Sequence, residues 1–412
     1  MTTVERILPG AGSIAIEALV RALALAPRAR PFSAASIDFV AALAEALMTD
    51  PAARRHPELM SLGFFLRRAE LTTMARELAT ASRDAVRMPI GLVFHVPPSN
   101  VDTVFAYSWL LSLLAGNRDV VRLSSRPSPV VDITLGHAAR LLADPAHAAV
   151  AARTAIVRYG HDAAINRALS AACDLRVIWG GDAAIRALRE APLAPHGRDL
   201  TFPDRQSFAV LRADAIVDAT ADAVAAVAGG LVNDLFWFDQ AACASPRLVV
   251  WVGSPGAARA ASVRLFGRVG EIAEQRGHRL EPAHVMNKVV FTYRAVADHP
   301  AVVRREQFGS LTVVEVEGLA AVPHDHPGAG YVWSTTVEAL AELTAFVGRK
   351  HQTLVHFGFT RVELDAVIDA LAGRGVDRVV PIGRALAFDR MWDGHDLIAA
   401  FTRIVHVEAG KG

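Results

Sequence analysis

The rhythm of apolar and polar positions changes twice along this chain. Residues 13–86 read as helices broken at Pro27, Pro31, Pro51 and Pro57. Ser33-Ala34-Ala35-Ser36 can start one of them, with Ile37, Val40, Leu43 and Leu47 at the spacing of a single helical face. Leu62, Phe65, Leu66, Leu71 and Met74 suit another. These helices offer packing or oligomer contacts and no evident chemistry. From residue 89 short apolar strands alternate with helices. The strands are expected at 90–96, 120–124, 155–159, 175–179 and 208–211, with helices at 101–115, 129–143, 163–172 and 182–190 between them. That alternation predicts a parallel sheet covered on both faces, whose ligands gather at the carboxyl ends of the strands. Pro97 to Asn100, Ser124-Ser125 and Gly180-Gly181 fall at such ends.

A third stage opens with a helix at 219–231, then a thiol, Cys243, then a strand at 248–252. It continues through 285–292, a strand at 311–316, a His- and Gly-rich loop at 324–330, a helix at 337–347, and strands at 354–359 and 378–382. This predicts a second sheet. No internal repeat, low-complexity tract or disordered linker interrupts the pattern.

Composition narrows the class. A chain of 412 residues accommodates two or three domains, and 52% hydrophobic with 21% charged residues suits a large buried core. A net charge of +1 gives no global case for nucleic acid or anionic membrane as a partner. Lysine occurs only at 288, 350 and 411, which leaves few candidates for Schiff-base chemistry. Two cysteines, Cys173 and Cys243, make neither a disulfide framework nor a metal site. His324, Asp325 and His326 lie in a Pro-flanked loop without a further ligand at zinc spacing, so no metal is expected. The start, Met-Thr-Thr-Val-Glu-Arg, lacks the plan of a signal peptide, and the apolar run 104–116 is shorter than a membrane span needs. A soluble cytoplasmic protein is expected.

Cys243 is the residue around which the chemistry is organised. A thiol among small residues at a helix-to-strand joint can be reached by a substrate, and its thiolate is a soft nucleophile whose pKa is lowered by nearby dipoles. The bland alternative is a small buried hydrophobe, and Cys173, just before the strand at 175–179, is assigned that role. The stretch Asp239-Gln240-Ala241-Ala242-Cys243-Ala244-Ser245-Pro246 resembles the Asp-Gln-x-x-Cys-x-Ser-Pro signature of long-chain acyl-CoA reductases, the LuxC family. Residues 91–125, Trp179-Gly180-Gly181, and 376–396 with Arg-Val-Val-Pro-Ile-Gly and Trp-Asp-Gly resemble it too. The likeness spans roughly residues 88–405 in the right order.

That family lies in the aldehyde dehydrogenase superfamily. The resemblance implies a parallel Rossmann-type cofactor domain, a second α/β catalytic domain and a helical N-terminal segment. The boundaries are placed at 1–88 for the helical segment, 89–235 for the NADP-binding domain, 236–390 for the catalytic domain and 391–412 for a C-terminal segment. It implies Cys243 as nucleophile, with Asn100 helping to hold the oxyanion. Arg122 stands where the superfamily usually has a Lys on the adenosine ribose or its 2′-phosphate; a planar bidentate donor there is compatible with NADPH. Ser124, Gly180 and Gly181 are placed beside the cofactor, and Glu306, in Glu-Gln-Phe-Gly, on the nicotinamide-side ribose. Without the resemblance, Glu306 would read as a solvated loop carboxylate. His351-Gln352-Thr353 and Trp392-Asp393-Gly394 are typical of the family, with no derivable role. The reaction implied is NADPH-dependent reduction of acyl-CoA or another acyl thioester to an aldehyde, with an acyl-transferring enzyme as partner and a homo-oligomeric assembly. Two alternatives stay open: a hydrolytic aldehyde dehydrogenase, and a non-catalytic nucleotide-binding partner. In hydrolytic relatives a Glu activates water; the corresponding position here is Phe202, or Asp204 if the alignment slips by two residues.

Overall fold

The computed structural model describes residues 2–80 and 85–408. Contacts divide the chain into two units, Met1–Pro203 with Phe388–Gly412, and Asp204–Ala387. The division therefore falls after residue 203, upstream of the boundary at 235 expected from the sequence.

The first unit begins with β1 (Thr3–Leu8) and β2 (Gly12–Ala15), an antiparallel hairpin. The helical reading began at residue 13, and this hairpin precedes the first helix. Thr-Val-Glu-Arg-Ile-Leu is short, and Val4 and Leu8 face the core while Thr3 and Glu5 face solvent. Such a run is easily absorbed into a neighbouring helical pattern. The helices Ile16–Leu25, Ala34–Thr49, Pro57–Phe65 and Arg68–Thr80 follow. The expected face over 62–74 is thus two helices, broken between Phe65 and Arg68. Then come β3 (Ala85–Pro89), which pairs with Thr402–His406, and β4 (Leu92–Val96), β5 (Arg118–Leu123), β6 (Thr154–Arg158), β7 (Leu175–Trp179) and β8 (Arg198–Phe202).

The sheet runs β2-β1-β6-β5-β4-β7-β8, with β4 to β8 all parallel. Strand order reverses at β4, which opens a crevice at the carboxyl ends of β4 and its neighbours. The helix Val104–Leu114 is buried on nearly every side, as an all-apolar sequence requires, and packs among Phe39, Leu43 and Leu62. Under the other face Arg176 is buried. Its guanidinium meets Asp199 at 2.8 and 3.1 Å and donates to Ser170 Oγ and the carbonyls of Leu188 and Ala191.

The second unit contains β9 (Gln206–Arg212), β10 (Pro246–Val252), β11 (Val302–Phe308), β12 (Leu311–Val316), β13 (Tyr331–Val337), β14 (His351–Phe357) and β15 (Arg378–Pro381). Their order is β11-β12-β13-β10-β9-β14-β15, parallel except for the β11–β12 pair. Strand 208–211, expected to close the first sheet, is instead the centre of the second: Ala209 pairs with both Val249 and Val355. A local apolar run carries no information about which sheet will take it. The expected helix 337–347 is also corrected. Val337 ends β13, whose Ser-Thr-Thr-Val is rich in β-branched residues, and only Leu343–Phe346 is α-helical. Residues 221–240 are the one described helical stretch long and apolar enough to cross a membrane. Here the helix Ala221–Phe236 packs against the helix Pro255–Gln275 and buries Val224, Ala228, Leu231, Val232 and Leu235.

Removing one partner of a buried ion pair leaves the other charge uncompensated. Asp199→Ala should therefore destabilise the first unit by about 3 kcal/mol or more, read as a lower urea midpoint, whereas the double change Asp199→Ala with Arg176→Met should recover part of that loss.

Candidate active site

A cleft of about 720 Å³ opens at the carboxyl ends of the first sheet. Asn100, Arg122, Ser124, Gly180 and Gly181 all line it, so five residues singled out in the sequence share one wall-to-wall site. Arg122 extends from β5, donates to the carbonyl of Gly160 at 3.1 Å and lies 4.9 Å from the ring centre of Tyr159. That fixes the guanidinium at the rim, with donors left over because the group has five. The Tyr159 hydroxyl donates to Asn166 Oδ1 at 2.8 Å, and burial pushes its pKa well above the usual tyrosine range. Ser124 Oγ accepts the N–H of Arg126, shaping the turn after β5.

Gly181 precedes the helix Asp182–Arg189, and a Cβ added there would meet nothing within 4 Å. At Gly180 an added Cβ would touch only Ala184, at 3.5 Å. Both glycines have open space where they border the cleft, next to a helix start, which favours a phosphate group. The residues present thus fit a dinucleotide lying across the switch point.

The thiol stands in the second unit, at the opposite kind of edge. Cys243 lies in the turn that enters β10, so it sits by the amino ends of the parallel strands rather than their carboxyl ends. The chain leaves the helix Ala221–Phe236 and passes through three successive non-glycine residues with positive φ: Phe238 at 54°, Asp239 at 49° and Gln240 at 62°. Left-handed backbone is unfavourable for L-residues, and three together persist only if the surroundings over-determine them. The surroundings do. Gln240 is buried and its amide is saturated: Nε2 donates to the carbonyls of Pro246 (2.8 Å) and Tyr331 (2.9 Å), while Oε1 accepts from the N–H groups of Gly330 (2.9 Å) and Tyr331 (3.0 Å). The N–H of Ala329 adds a bond to the carbonyl of Asp239.

Two further groups brace the thiol. Ser207 Oγ, at the start of β9, donates to the carbonyl of Cys243 at 2.7 Å and accepts the N–H of Thr353. Gln352, at the start of β14, is buried and donates from Nε2 to Cys243 Sγ at 3.4 Å. Cys243 itself is half-buried. Neither Ser207 nor a role for Gln352 was foreseen from sequence; the only signal was the family-typical His351-Gln352-Thr353. Lys288 was likewise missed. Its buried ammonium donates to the carbonyls of Ser310, Ala329 and Gly330, and desolvation lowers its pKa to about 8. It anchors the segment that Gln240 grips.

The other sequence candidates are placed as follows. Glu306 is in strand β11, paired with Val313, and not in a loop as its surroundings suggested. Its carboxylate forms a two-pronged ion pair with Arg259, one contact at 2.7 Å, whose hydrogen bonds hold its pKa below the usual carboxylate range. A ribose hydroxyl at Glu306 would share that carboxylate with Arg259. Phe202 ends β8 and is buried, stacked on Trp179 at 3.6 Å and 9°. Asp204 is exposed and meets Lys350 at 3.4 Å. His326 donates from Nε2 to the carbonyl of Tyr331 and accepts the N–H of Gly328 at Nδ1; burial drives its pKa down to about 3, so it is a neutral structural imidazole. Among the described residues no group of three His, Cys, Asp or Glu side chains is placed to hold a metal ion. Cys173 is buried in the first unit and its thiol is pushed up to about 12 by desolvation.

The Arg-Val-Val-Pro-Ile-Gly stretch now has a physical role. Asp234, buried in the helix Ala221–Phe236, accepts the N–H groups of Gly383 (2.7 Å) and Ala385 (3.0 Å). Arg378 donates to the carbonyls of Arg384, Ala385 and Ala387. A Cβ on Gly383 would meet Gly230 Cα at 3.0 Å, so the loop sits directly on the helix that leads to Cys243.

With this geometry described, comparisons with known proteins give a consistent result. Residues 67–268 match the family described as acyl-CoA reductase (LuxC). The long-chain acyl-protein thioester reductase of Vibrio harveyi is 25% identical over 77% of this chain and 63% of its own length. The enzyme of the same name from Photorhabdus laumondii is 24% identical with the same coverage. The chain thus spans less than two thirds of the length of these relatives. Among solved structures, an NAD-dependent aldehyde dehydrogenase from Sinorhizobium meliloti superposes with a TM-score of 0.66 at 15% identity, covering 100% of this chain and 92% of that one. PnpE from Pseudomonas sp. WBC-3 gives 0.62 at 16% identity, covering 100% and 96%, and has also been solved with nicotinamide adenine dinucleotide. The fold is that of the aldehyde dehydrogenases.

Two outcomes are expected of the scaffold around the thiol. Gln240→Leu leaves buried carbonyls and N–H groups unpaired, so thermal unfolding should show a loss of about 3 kcal/mol or more. The second follows from Asp234, whose pKa burial raises to about 7 against the opposing pull of its two backbone donors. An acid with a raised folded-state pKa binds more protons folded than unfolded between about 4 and about 7, so it loses stabilising effect as pH rises through that window. The stability of the wild type relative to Asp234→Asn should accordingly be greater at pH 5 than at pH 7.5 in paired urea titrations.

Proposed function

From a LuxC-like chain with the aldehyde dehydrogenase fold as premise, we propose that the protein reduces an acyl thioester to the aldehyde with NADPH, through an acyl-enzyme on Cys243. The observation that carries this reading is the half-buried thiol held on an over-determined loop, inside the stretch that matches the family's signature. The curated relatives are named for reducing long-chain acyl-protein thioesters, which supports a thioester substrate delivered by CoA or by an acyl-transferring protein.

Each residue takes a role its environment suits. Cys243 attacks the thioester carbonyl; a sulfur–carbon bond forms on the protein, the bond to the carrier sulfur breaks, and the carrier leaves as a thiolate that takes up a proton. Asn100, on the rim of the first-unit cleft, is the proposed donor to the oxyanion. Arg122 is proposed to meet the 2′-phosphate, and Ser124, Gly180 and Gly181 to border the diphosphate, with Glu306 toward the second ribose. When bound, the cofactor supplies the hydride that takes the acyl group to the aldehyde level. Phe202, stacked on Trp179, cannot accept a proton, and Asp204 is exposed and pairs with Lys350. With Phe202 at the base's position the acyl-enzyme lacks a group to activate water, whereas the alignment shifted by two residues would offer Asp204 instead.

Intact-protein mass spectrometry after exposure to a panel of acyl thioesters should show one acyl adduct that maps to Cys243 and is absent in Cys243→Ala. An adduct on Cys173, or turnover by Cys243→Ala, would overturn the mechanism. Sustained acid formation from aldehyde and NADP⁺ without CoA would replace it with a hydrolytic dehydrogenase. Arg122→Ala should weaken NADPH binding at least about tenfold more than NADH binding; equal losses in fluorescence titrations would return Arg122 to a structural role.

A further inference from the structure

We infer that Gln352 sets the ionisation and orientation of the Cys243 thiol, acting as a direct hydrogen-bond donor to its sulfur. This deepens the reading above and rests on Cys243 being the acyl acceptor. Gln352 lies on β14, 109 residues along the chain from Cys243, and its Nε2 stands 3.4 Å from Sγ. The amide cannot readily turn away. Its Oε1 accepts the hydroxyl of Thr353 at 3.3 Å, and the side chain is buried at 2% exposure. With the oxygen held, the NH₂ end faces the sulfur.

A neutral amide donor beside a thiol favours the charged form, because the hydrogen bond strengthens when the sulfur becomes an anion. A cationic partner would lower the pKa further, and the intrinsic nucleophilicity of a thiolate falls as its pKa falls. An amide lowers the pKa while leaving the sulfur nucleophilic, which suits a group that must attack and later depart. The same bond serves both halves of the reaction. In the first half Sγ gives an electron pair to the acyl carbon and loses its charge. In the second, once a hydride equivalent from the reduced nicotinamide has been added to the acyl carbon, the carbon–sulfur bond breaks, the aldehyde departs, and the electron pair returns to Sγ where Gln352 receives it.

Ser207 has a separate part. Its single hydroxyl proton goes to the carbonyl of Cys243 at 2.7 Å, in preference to Gln352 Oε1 at 3.5 Å, and so fixes the main chain, not the sulfur. The pair makes the two contributions separable: one residue on the backbone, one on the thiol.

The test is the pH dependence of Cys243 alkylation by iodoacetamide, followed by the mass of the Cys243 peptide in the full chain. The buried Cys173 serves as the unreactive internal reference. Gln352→Glu keeps length and volume but replaces the donor with an acceptor; Gln352→Leu removes both. Both should move the alkylation midpoint upward, Leu by about one pH unit and Glu by more, so that alkylation at pH 7 slows about tenfold or beyond. Ser207→Ala should leave the midpoint in place. Unchanged midpoints in both Gln352 variants, or an equal shift in Ser207→Ala, would overturn the inference. Should one Gln352 variant fail to fold by circular dichroism, the other still decides. Acylation of Cys243 is read separately: a shifted midpoint with no acyl adduct sinks the acyl-enzyme reading and leaves Gln352 as the thiol's partner, whereas an adduct with no shift sinks only the role of Gln352.

Discussion

The four hydrogen bonds of the buried Gln240 amide are the constraint on which the rest of the second unit's chemistry depends. They join the turn before Cys243 to the start of β10 and the start of β13, and they do so with a side chain that has no bond left to give. Three residues in left-handed backbone are unfavourable by about 1 kcal/mol or more each, and only a fully satisfied buried polar group of this kind holds them. Lys288 completes the frame from the other side by gripping the carbonyls of the segment that Gln240 also meets. The thiol is thereby held on a turn fixed from both sides, as the role proposed for it would require.

The two units place their chemistry by different rules. In the first, the cleft lies at the carboxyl ends of parallel strands, where strand order reverses and helix N-termini converge. In the second, Cys243, Ser207 and Gln352 stand at the amino ends of β10, β9 and β14. Central strands of one sheet bring them together, because β9 lies between β10 and β14. The register of those three strands is what turns residues far apart in sequence into one cluster.

What could be read in advance follows from how local each signal is. The strand at 175–179 was placed to the residue, since Leu-Arg-Val-Ile-Trp is a short apolar run between turn signals. The cleft residues were legible because strand ends are local features and a parallel sheet puts them on one edge. The hairpin at Thr3–Ala15 was hidden by the helical stretch beside it. Strand β9 was recognised but sent to the wrong sheet, because partner choice is set by pairing with β10 and β14 and not by its own residues. Glu306 could not be read as a strand residue tied to Arg259, a partner 47 residues away. Gln352 stood out only as part of a familiar triplet, since nothing in a sequence measures the distance from an amide to a sulfur.

The rarity of lysine acquires a meaning from the structure. An aldehyde condenses with unprotonated amines, so an enzyme that releases one is exposed to modification by its own product. Lys288, whose lowered pKa would make it the most reactive amine, is buried with its nitrogen committed to three carbonyls. Lys350 is held at the surface by Asp204. Nearly all other cationic positions are arginine, whose guanidinium stays protonated and does not condense at neutral pH. A chain built this way carries most of its positive charge in a form inert to carbonyl compounds, which suits the aldehyde product proposed for it.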